Sequence, residues 1–367
     1  MLGTRPEAVK LSPVVRALAA STRVRLVLTG QHEELVEDLT RELGLVPGAR
    51  LNVMRPRQSL NLLTARLMRA LGEELVAHRP DAIVVQGDTT TAFCGALAAF
   101  HEGVPVAHVE AGLRSHDPAN PFPEEVNRCL IGQIATWHFA PTPRAVGNLI
   151  AEGHRGDSIE MTGNTVIDSM LWVREHGLGT SAFRPGTGGQ RLLVTLHRRE
   201  TQGSDMYRIC EALGEIARDL QLDLVLPMHP SPPVRESIMP ALAANSYVRL
   251  VEPLGYLDFV ATLADASLVV TDSGGVLEEA SALHVPALVA RNTTERPEAL
   301  EANCARLVGT DPAQLSRAVR ELLTDAKAHA AMALAPNPFG DGHAGSRIAK
   351  RLLADLSVDP DKILVRD

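Results

Sequence analysis

Short, continuous apolar runs alternate with longer helical patterns along the whole chain, and this alternation restricts its fold more than any other feature. The runs are unbroken stretches of Val, Leu and Ile, which is typical of parallel strands buried on both faces. The intervening segments 60–77, 91–101, 206–220 and 315–323 have helical periodicity. Such βαβ alternation predicts an α/β fold of Rossmann-like, doubly wound domains. The ten predicted strands are 24–28, 82–85, 104–109, 137–140, 159–162, 192–196, 222–226, 248–251, 268–271 and 285–290.

The length of 367 residues favours two domains, at roughly 150 residues for each. A stretch without apolar periodicity at 177–190 contains five glycines and a proline and is the predicted boundary. We therefore predict one domain over 1–176 and a second over 177–342. The final segment, 343–367, carries a helical pattern at 343–356 that is expected to pack back on the first domain.

Composition and charge exclude several classes of protein. Acidic residues outnumber basic ones, 44 to 36, for a net charge of −8, which argues against a nucleic-acid partner. No stretch approaches the roughly 20 apolar residues of a membrane span, so no membrane association is expected. The N-terminus lacks the pattern of a signal peptide, which predicts a cytoplasmic location.

Neither a metal nor a redox cofactor is expected. The four cysteines (Cys94, Cys129, Cys210 and Cys304) are far apart in sequence, which gives no metal-binding spacing and predicts buried free thiols. His108 and Glu110 are spaced as in the first half of a zinc-deaminase motif, but the cysteine half is missing. No GxGxxG follows a predicted strand, so a nicotinamide or flavin cofactor is not expected.

Polar and titratable residues follow the predicted strands in both halves. Ligands of doubly wound sheets bind beyond the carboxyl ends of the strands. One surface of each domain is therefore expected to be functional, with a cleft between the two. The segments that follow the strands are 29–32, 86–89, 110–114, 197–200, 229–230 and 272–275.

The second half contains a Ser-Gly-Gly turn between a buried strand and a helix, formed by Ser273, Gly274 and Gly275. Such a turn brings backbone N–H groups and a helix N-terminus to an anion, which fits a diphosphate. An ordinary tight turn with a capping residue explains the same pattern equally well. Glu278 and Glu279 follow in the first turns of the helix. They either complement the helix dipole or bind the diol of a ribose. Arg296 is a candidate phosphate or ribose contact, or else a solvated surface arginine.

Three carboxylates of the first half, Asp88, Glu110 and Glu124, are candidates for proton abstraction. Neighbouring charges and partial burial can raise a carboxyl pKa toward neutrality. Asp88 precedes a helix and has helix capping as its alternative role. Glu110 ends an apolar strand, where an unpaired charge is costly. The side chains expected to flank the cleft are cationic or imidazole groups: Arg5, Lys10, Arg114, Arg128, Arg198, Arg199, His197 and His229.

Taken together, these motifs resemble the UDP-N-acetylglucosamine 2-epimerase family, and the resemblance extends over nearly the whole chain in order. It is carried by Gly-Thr-Arg-Pro-Glu at 3–7, Thr-Gly-Gln-His at 29–32, Gly-Asp-Thr-Thr-Thr at 87–91, His-Val-Glu-Ala-Gly-Leu-Arg at 108–114, Pro-Phe-Pro-Glu-Glu at 121–125, Gly-Asn-Thr-Val-Ile-Asp at 163–168, His-Arg-Arg-Glu at 197–200, Thr-Asp-Ser-Gly-Gly at 271–275 and Thr-Glu-Arg-Pro-Glu at 294–298.

The resemblance implies a fold like that of the GT-B glycosyltransferases, a UDP-sugar substrate and a homodimer. It implies that UDP is eliminated to leave 2-acetamidoglucal and is then re-added, which interconverts UDP-GlcNAc and UDP-ManNAc. It also implies a second, activating UDP-GlcNAc at Gln31, Arg57, Gln58 and Arg198, with Glu34 and His229 at two further matching positions. The implied catalytic residues are Asp88, Glu110, Glu124 and His197. The implied substrate-binding residues are Arg5, Lys10, Arg128, His229, Phe259, Ser273, Gly274, Gly275, Glu279 and Arg296.

Other functions fit the same pattern. A hydrolysing relative would release ManNAc and UDP, and a GT-B glycosyltransferase would move the sugar to an acceptor. A non-catalytic sensor would bind a UDP-sugar without turnover.

Overall fold

The computed structural model describes residues 1–30, 33–55, 57–184, 189–198, 201–294 and 296–357. Every strand pairing within these ranges is parallel, and helices connect successive strands. The predicted α/β class is therefore confirmed.

All ten predicted strands form, with ends that shift by a few residues. Two short strands, β2 and β12, were not predicted, because neither carries a continuous run of large apolar residues. The strands are β1 (Leu26–Leu28), β2 (Pro47–Arg50), β3 (Ile83–Gln86), β4 (Val106–Val109), β5 (Trp137–Ala140), β6 (Ile159–Met161), β7 (Arg191–Thr195), β8 (Asp223–Pro227), β9 (Val248–Val251), β10 (Leu268–Thr271), β11 (Ala287–Val289) and β12 (Ala305–Leu307).

Helices occupy the connections between these strands. Within the described ranges, no helix combines the length and apolar character needed to cross a bilayer. The helices are α1 (Arg5–Ala19), α2 (Glu33–Glu42), α3 (Leu60–His78), α4 (Thr90–His101), α5 (Glu124–Ile134), α6 (Pro143–Ala151), α7 (Thr165–Glu175), α8 (Ser204–Asp219), α9 (Pro232–Leu242), α10 (Tyr256–Ala264), α11 (Gly274–Ala282), α12 (Pro297–Glu301), α13 (Pro312–Thr324), α14 (Ala326–Ala333) and α15 (Ala344–Leu356).

The chain forms two compact units. The first contains residues 1–169 and 340–357, and the second contains 170–339. The change between them falls inside α7, before the glycine-rich stretch, and residues 179 and 180 of that stretch already pack on the second unit. A Cβ on Gly179 would lie 2.2 Å from the backbone oxygen of Leu257, and the N–H of Thr180 donates to Asp258 Oδ1 at 2.6 Å.

In the first unit, four strands lie in the order β3-β4-β5-β6, and β1 pairs with β2. Leu2 extends this arrangement, since its N–H donates to Val27 O and the N–H of Thr29 donates to Leu2 O, both at 2.9 Å. Gly3 follows at a point where there is no room for a side chain, because a Cβ would lie 2.2 Å from Thr91 Oγ1. This close approach brings the start of α1 to the carboxyl ends of β1 and β3.

Helix α15 packs against α1 in the first unit. Its N-terminus is held by Asp168, whose Oδ1 accepts from the N–H of Gly345 at 2.8 Å. Near its other end, Trp137 Nε1 donates to Asp355 Oδ2 at 2.7 Å. The side chains of Ile348 and Leu352 are buried on the packed face. This helix therefore completes the core of the first unit.

We expect Gly345→Ala to lower the free energy of unfolding by about 1–3 kcal/mol. Its Cβ would lie 2.7 Å from Pro13 Cβ and 2.8 Å from Pro13 C, so α15 must move away from α1. The matched control is Gly72→Ala inside α3, where a Cβ meets nothing within 4 Å. This variant should raise the free energy of unfolding by about 0.5–1 kcal/mol, because alanine favours the helix more than glycine does. Urea unfolding, monitored by circular dichroism, measures the free energy of unfolding of both variants. Equal stability of Gly345→Ala and wild type would contradict the packing described here.

In the second unit, the six strands lie in the order β12-β11-β10-β7-β8-β9. The chain runs from β7 outward to β9 and then returns to the other side at β10, so the order reverses between β7 and β10. These neighbours pair in register, with Thr195 opposite Thr271. Ligands of such sheets bind at the point of reversal, beyond the carboxyl ends of the strands. Residues that follow β7 and β10 are thus placed to form a binding site.

Candidate active site

Glu110 directly follows β4 and has an anchored carboxylate. Lys10 Nζ of α1 donates to its Oε1 at 2.5 Å, and Asn164 Nδ2 donates to the same oxygen at 3.1 Å. Gln86 Nε2, at the end of β3, donates to Oε2. The residue is 9% exposed, and its φ of 64° lies in the left-handed region that favours glycine. The structure therefore holds one carboxylate rigidly, with a cation and two amides as its partners.

Asp88 follows the neighbouring strand β3 and is paired with Arg128 of α5. Arg128 Nη2 lies 2.5 Å from Asp88 Oδ2, and Asn127 Nδ2 donates to the backbone oxygen of Asp88 at 2.9 Å. Burial raises the pKa of Asp88, Arg128 and Lys10 oppose this effect, and the nearby charge of Glu110 adds to it. Asp88 is thus a carboxyl group whose net pKa is raised, as a group that exchanges protons requires.

Helix capping, the alternative role for Asp88, is wrong. The N-cap of α4 is Thr89, whose Oγ1 accepts from the N–H of Ala92 at 3.0 Å. The hydroxyl of Thr89 also donates to Glu7 Oε1 at 2.8 Å. Glu7 Oε2 in turn accepts from the N–H groups of Gly3 and Thr4 at 2.9 and 2.7 Å. Burial raises the pKa of Glu7, against the effect of these hydrogen bonds. Glu7 thereby ties the start of α1 to the turn that carries Asp88.

His108 lies beneath the same turn and is fully buried. Its Nε2 lies 2.8 Å from the backbone oxygen of Gly87, the residue before Asp88. Burial lowers the pKa of His108 to about 3, so the imidazole is neutral and donates to this carbonyl. His108 is therefore a structural support of the turn.

Two further candidates of the first unit lie at helix starts. Glu124 is the first residue of α5, and Arg5 is the first residue of α1. Both side chains are half-buried. Arg114 is paired with Glu152, since its Nε and Nη2 donate to the two carboxylate oxygens at 2.6 and 2.7 Å.

In the second unit, His197 follows β7 and contacts Asp272, which follows β10. His197 Nδ1 lies 2.9 Å from Asp272 Oδ1, while Oδ2 accepts from the N–H groups of His197 and Arg198, both at 2.8 Å. Asp272 is fully buried, which by itself raises its pKa, but His197 and the two N–H groups outweigh this and lower it. A buried carboxylate therefore fixes both the backbone and the ring of His197.

His229, which follows β8, stacks on His197 with ring centroids 5.8 Å apart and planes inclined by 20°. Its Nδ1 accepts from the N–H of Ser231 at 3.1 Å. Burial lowers the pKa of His229, with the neighbouring His197 as a second cause. Two imidazoles thus lie side by side at the edge where the strand order reverses.

The Ser-Gly-Gly turn begins α11 beside His197 and Asp272. Ser273 is the N-cap residue, but its side chain makes no capping hydrogen bond, so it does not satisfy the first N–H groups of the helix. A Cβ on Gly275 would lie no closer than 4.0 Å to its nearest neighbour, Ser273 Oγ. The turn therefore has open space in front of a helix N-terminus, which favours anions.

Arg296 lies next to this turn, since a Cβ on Gly274 would be 3.7 Å from Arg296 Cγ. Its Nε donates to Glu278 Oε1, and its side chain is 17% exposed. The alternative role of a solvated surface arginine is therefore wrong. Glu279 is buried on α11, and Phe259 is half-buried in the first turn of α10.

The residues matched to an activating site are only partly described. Gln31 lies outside the described residues, as do Arg199 and Glu200 of the His-Arg-Arg-Glu motif. Arg57 is exposed, and Gln58 Oε1 accepts from Arg66 Nη1 at 2.6 Å. Arg198 is held through its backbone by Asp272.

Across the described ranges, no three His, Cys, Asp or Glu side chains group closely enough to hold a metal ion. Cys94, Cys210 and Cys304 are buried free thiols as expected, while Cys129 is half-buried.

From the sequence, Gln86 and Asp272 were placed in the segments at strand ends and Asn164 in a family motif, but no role was assigned to any of the three, although all contact the candidate residues. Each follows the carboxyl end of a strand or is its last residue: Gln86 ends β3, Asn164 follows β6 and Asp272 follows β10. Their position was therefore predictable from the sequence, whereas their contacts with Glu110 and His197 depend on the tertiary structure.

Both units share one design, in which polar groups collect at the carboxyl ends of parallel strands. This arrangement is typical of doubly wound α/β enzymes, which bind nucleotide-linked ligands beyond the strand ends. The model of the UDP-N-acetylglucosamine 2-epimerase family matches residues 16–353, and the chain belongs to this family.

Individual relatives agree with this assignment. The UDP-N-acetylglucosamine 2-epimerase of Escherichia coli K12 is 43% identical, over 96% of this chain and 97% of that protein. The enzyme of the same name from Bacillus subtilis 168 is 40% identical, over 96% and 94%. The crystal structure of UDP-GlcNAc 2-epimerase from Neisseria meningitidis bound to UDP-GlcNAc aligns with a TM-score of 0.86 at 36% identity, over 96% of this chain and 98% of that one.

Proposed function

We propose that this enzyme interconverts UDP-GlcNAc and UDP-ManNAc by eliminating UDP and adding it back. The observation that carries the proposal is the pair of carboxylates at neighbouring strand ends of the first unit. Asp88 follows β3, Glu110 follows β4, and the charge of Glu110 contributes to the raised pKa of Asp88. Two carboxylates with different partners suit a reaction in which one group removes a proton and another returns it.

The reaction needs a good leaving group, because the C2 proton of an N-acetylhexosamine is only weakly acidic. A base takes the C2 proton, the C1–O bond breaks, and its electron pair leaves with the diphosphate as UDP. The sugar is left as 2-acetamidoglucal, with a double bond between C1 and C2. Return of a proton to the opposite face of C2, with re-addition of UDP at C1, gives the epimer.

The second unit supplies the nucleotide-binding part of this proposal. The turn formed by Ser273, Gly274 and Gly275 offers N–H groups and a helix N-terminus to the diphosphate. Arg296 adds a cation beside the turn, and Glu279 and Phe259 are assigned to the ribose and the uracil. Negative charge grows on the diphosphate as the C1–O bond breaks, so these groups stabilise the transition state.

His197 is assigned to the leaving diphosphate, either as a proton donor or as a positive charge. The contact between its Nδ1 and Asp272 supports this assignment, because a carboxylate on one ring nitrogen leaves Nε2 for the substrate. In the first unit, Glu110, Asp88 and Glu124 are assigned to the sugar, with Lys10 and Arg128 as their counter-ions. The homodimer and the activating site remain predictions.

Incubation with UDP-GlcNAc in heavy water tests the proposal. We expect deuterium at C2 of UDP-ManNAc and of the recovered UDP-GlcNAc, because each passage through the glucal exchanges the C2 proton. Proton NMR measures this as loss of the H2 signal. The control omits the enzyme. An unlabelled C2 in an epimerised product would refute the mechanism, and accumulation of free ManNAc and UDP would show the hydrolysing reaction instead.

A further inference from the structure

Glu125, the residue after the candidate Glu124, has a buried carboxylate in the first turn of α5. It is 3% exposed. A buried carboxylate is costly unless it is paired and hydrogen-bonded. Its partners therefore show what the charge is used for.

Two backbone groups fix the carboxylate of Glu125. Oε2 accepts from the N–H of Ser115 and Oε1 accepts from the N–H of His116, both at 2.9 Å. His116 has a φ of 61°, which lets the two successive N–H groups converge on one carboxylate. Because both oxygens are held by backbone, the carboxylate has little freedom to rotate.

Arg128 connects this fixed carboxylate to Asp88. Its Nη1 lies 3.3 Å from Glu125 Oε2, and its Nη2 lies 2.5 Å from Asp88 Oδ2. Glu125 and Arg128 are three residues apart on α5, so they share a face of the helix. A guanidinium is planar, so orienting one edge against Glu125 also orients the nitrogen that contacts Asp88.

Asp88 depends on α5 for its position. Its side chain is 25% exposed, and the backbone oxygen of the same residue accepts from Asn127 Nδ2 at 2.9 Å. One helix therefore holds both the backbone and the side chain of Asp88. A misplacement of about 1 Å in a reacting group can cost about 100-fold in rate.

We propose that Glu125 is a positioning residue, which holds the carboxylate of Asp88 in its reactive orientation by way of Arg128. This inference rests on the proposed function, in which Asp88 exchanges a proton with the sugar. It predicts that loss of Glu125 lowers the rate of the chemical step, and that this effect requires Arg128. A residue that merely closes the loop at 115–116 would change stability without this dependence on Arg128.

A double-mutant cycle separates the two roles. Glu125→Gln keeps the size of the side chain and removes its charge, and Arg128→Met removes the guanidinium. We expect Glu125→Gln to lower kcat by about 10- to 100-fold, with KM for UDP-GlcNAc within about twofold, since substrate affinity is assigned mainly to the second unit. Arg128→Met should lower kcat at least as much. The double variant should match Arg128→Met, because Glu125 has no effect once Arg128 is gone.

The matched control is Glu74→Gln, which removes another carboxylate of the first unit from its arginine, Arg25, at 2.5 Å. We expect its kcat to equal that of wild type. Thermal unfolding and calorimetric UDP binding check that each variant is folded. If Glu125→Gln does not fold, the same cycle with Glu125→Asp, which keeps the charge on a shorter arm, takes its place.

Two results would overturn the inference: a wild-type kcat for a folded Glu125 variant, or a double variant whose loss is the product of the two single losses. If the proposed function itself were wrong, the wild-type enzyme would show no C2 exchange in heavy water, which distinguishes that outcome from a failure of the inference about Glu125.

Discussion

Replacing Glu110 by glutamine is expected to lower kcat by about 10³-fold, because the amide cannot accept the C2 proton. The variant preserves the size of the side chain and an oxygen for Gln86 or Asn164. It removes the negative charge that Lys10 contacts at 2.5 Å. Epimerisation of UDP-GlcNAc and C2 exchange in heavy water measure the effect. Both should fall together if Glu110 takes part in proton transfer.

UDP binding is the control for Glu110→Gln, since the nucleotide is assigned to the second unit. Calorimetry should give a Kd for UDP within about threefold of wild type, a difference of less than about 0.7 kcal/mol. A folded variant that retains more than about a tenth of the wild-type exchange rate would remove Glu110 from the catalytic residues.

His197→Ala is expected to lower kcat by about 10²- to 10⁴-fold, with only a modest loss of UDP affinity. In the proposed reaction, His197 acts on the diphosphate as it leaves, so its contribution belongs mainly to the transition state. Steady-state kinetics and calorimetry measure the two effects separately. Abolished UDP binding would instead assign His197 to recognition of the ground state.

Two companion variants sharpen this result. Asp272→Asn keeps an oxygen for the N–H groups of His197 and Arg198 but loses the charge beside His197 Nδ1, so we expect an intermediate loss of kcat. His176→Ala removes an exposed histidine whose ring lies 4.5 Å from that of Trp172, and it should leave kcat unchanged. A loss of kcat in His176→Ala equal to that in His197→Ala would mean that the effect is general rather than specific to the site.

The sequence predicted the strands well because most of them are buried on both faces and therefore read as apolar runs. β10 is such a strand, with all four residues buried. β2 is the opposite case: it starts with proline and glycine, alternates between half-buried and exposed residues, and among the described strands pairs with β1 alone. Its strand conformation depends on that neighbour, which local sequence does not reveal.

The candidate site could be predicted as far as the strand ends, but the pairings within it could not. Lys10 and Glu110 are 100 residues apart, and only the packing of α1 beside the sheet brings them into contact. Asp88 shows the same limit, since its position before a helix suggested capping, whereas its actual partner is Arg128 on α5. Residue type and position after a strand indicate that a side chain is available for chemistry, and tertiary contacts decide its partner.

The left-handed backbone at Glu110 has a consequence for the evolution and engineering of this enzyme. At a φ of 64°, any residue with a Cβ is disfavoured by roughly 1–2 kcal/mol relative to glycine. Glycine would relieve this cost, but it would also take from Lys10, Gln86 and Asn164 the carboxylate that they contact, and breaking a buried ion pair costs about 3–5 kcal/mol. The contacts of the carboxylate therefore outweigh the unfavourable backbone, so selection for stability alone keeps an acid here and a library of more stable variants should leave this codon unchanged.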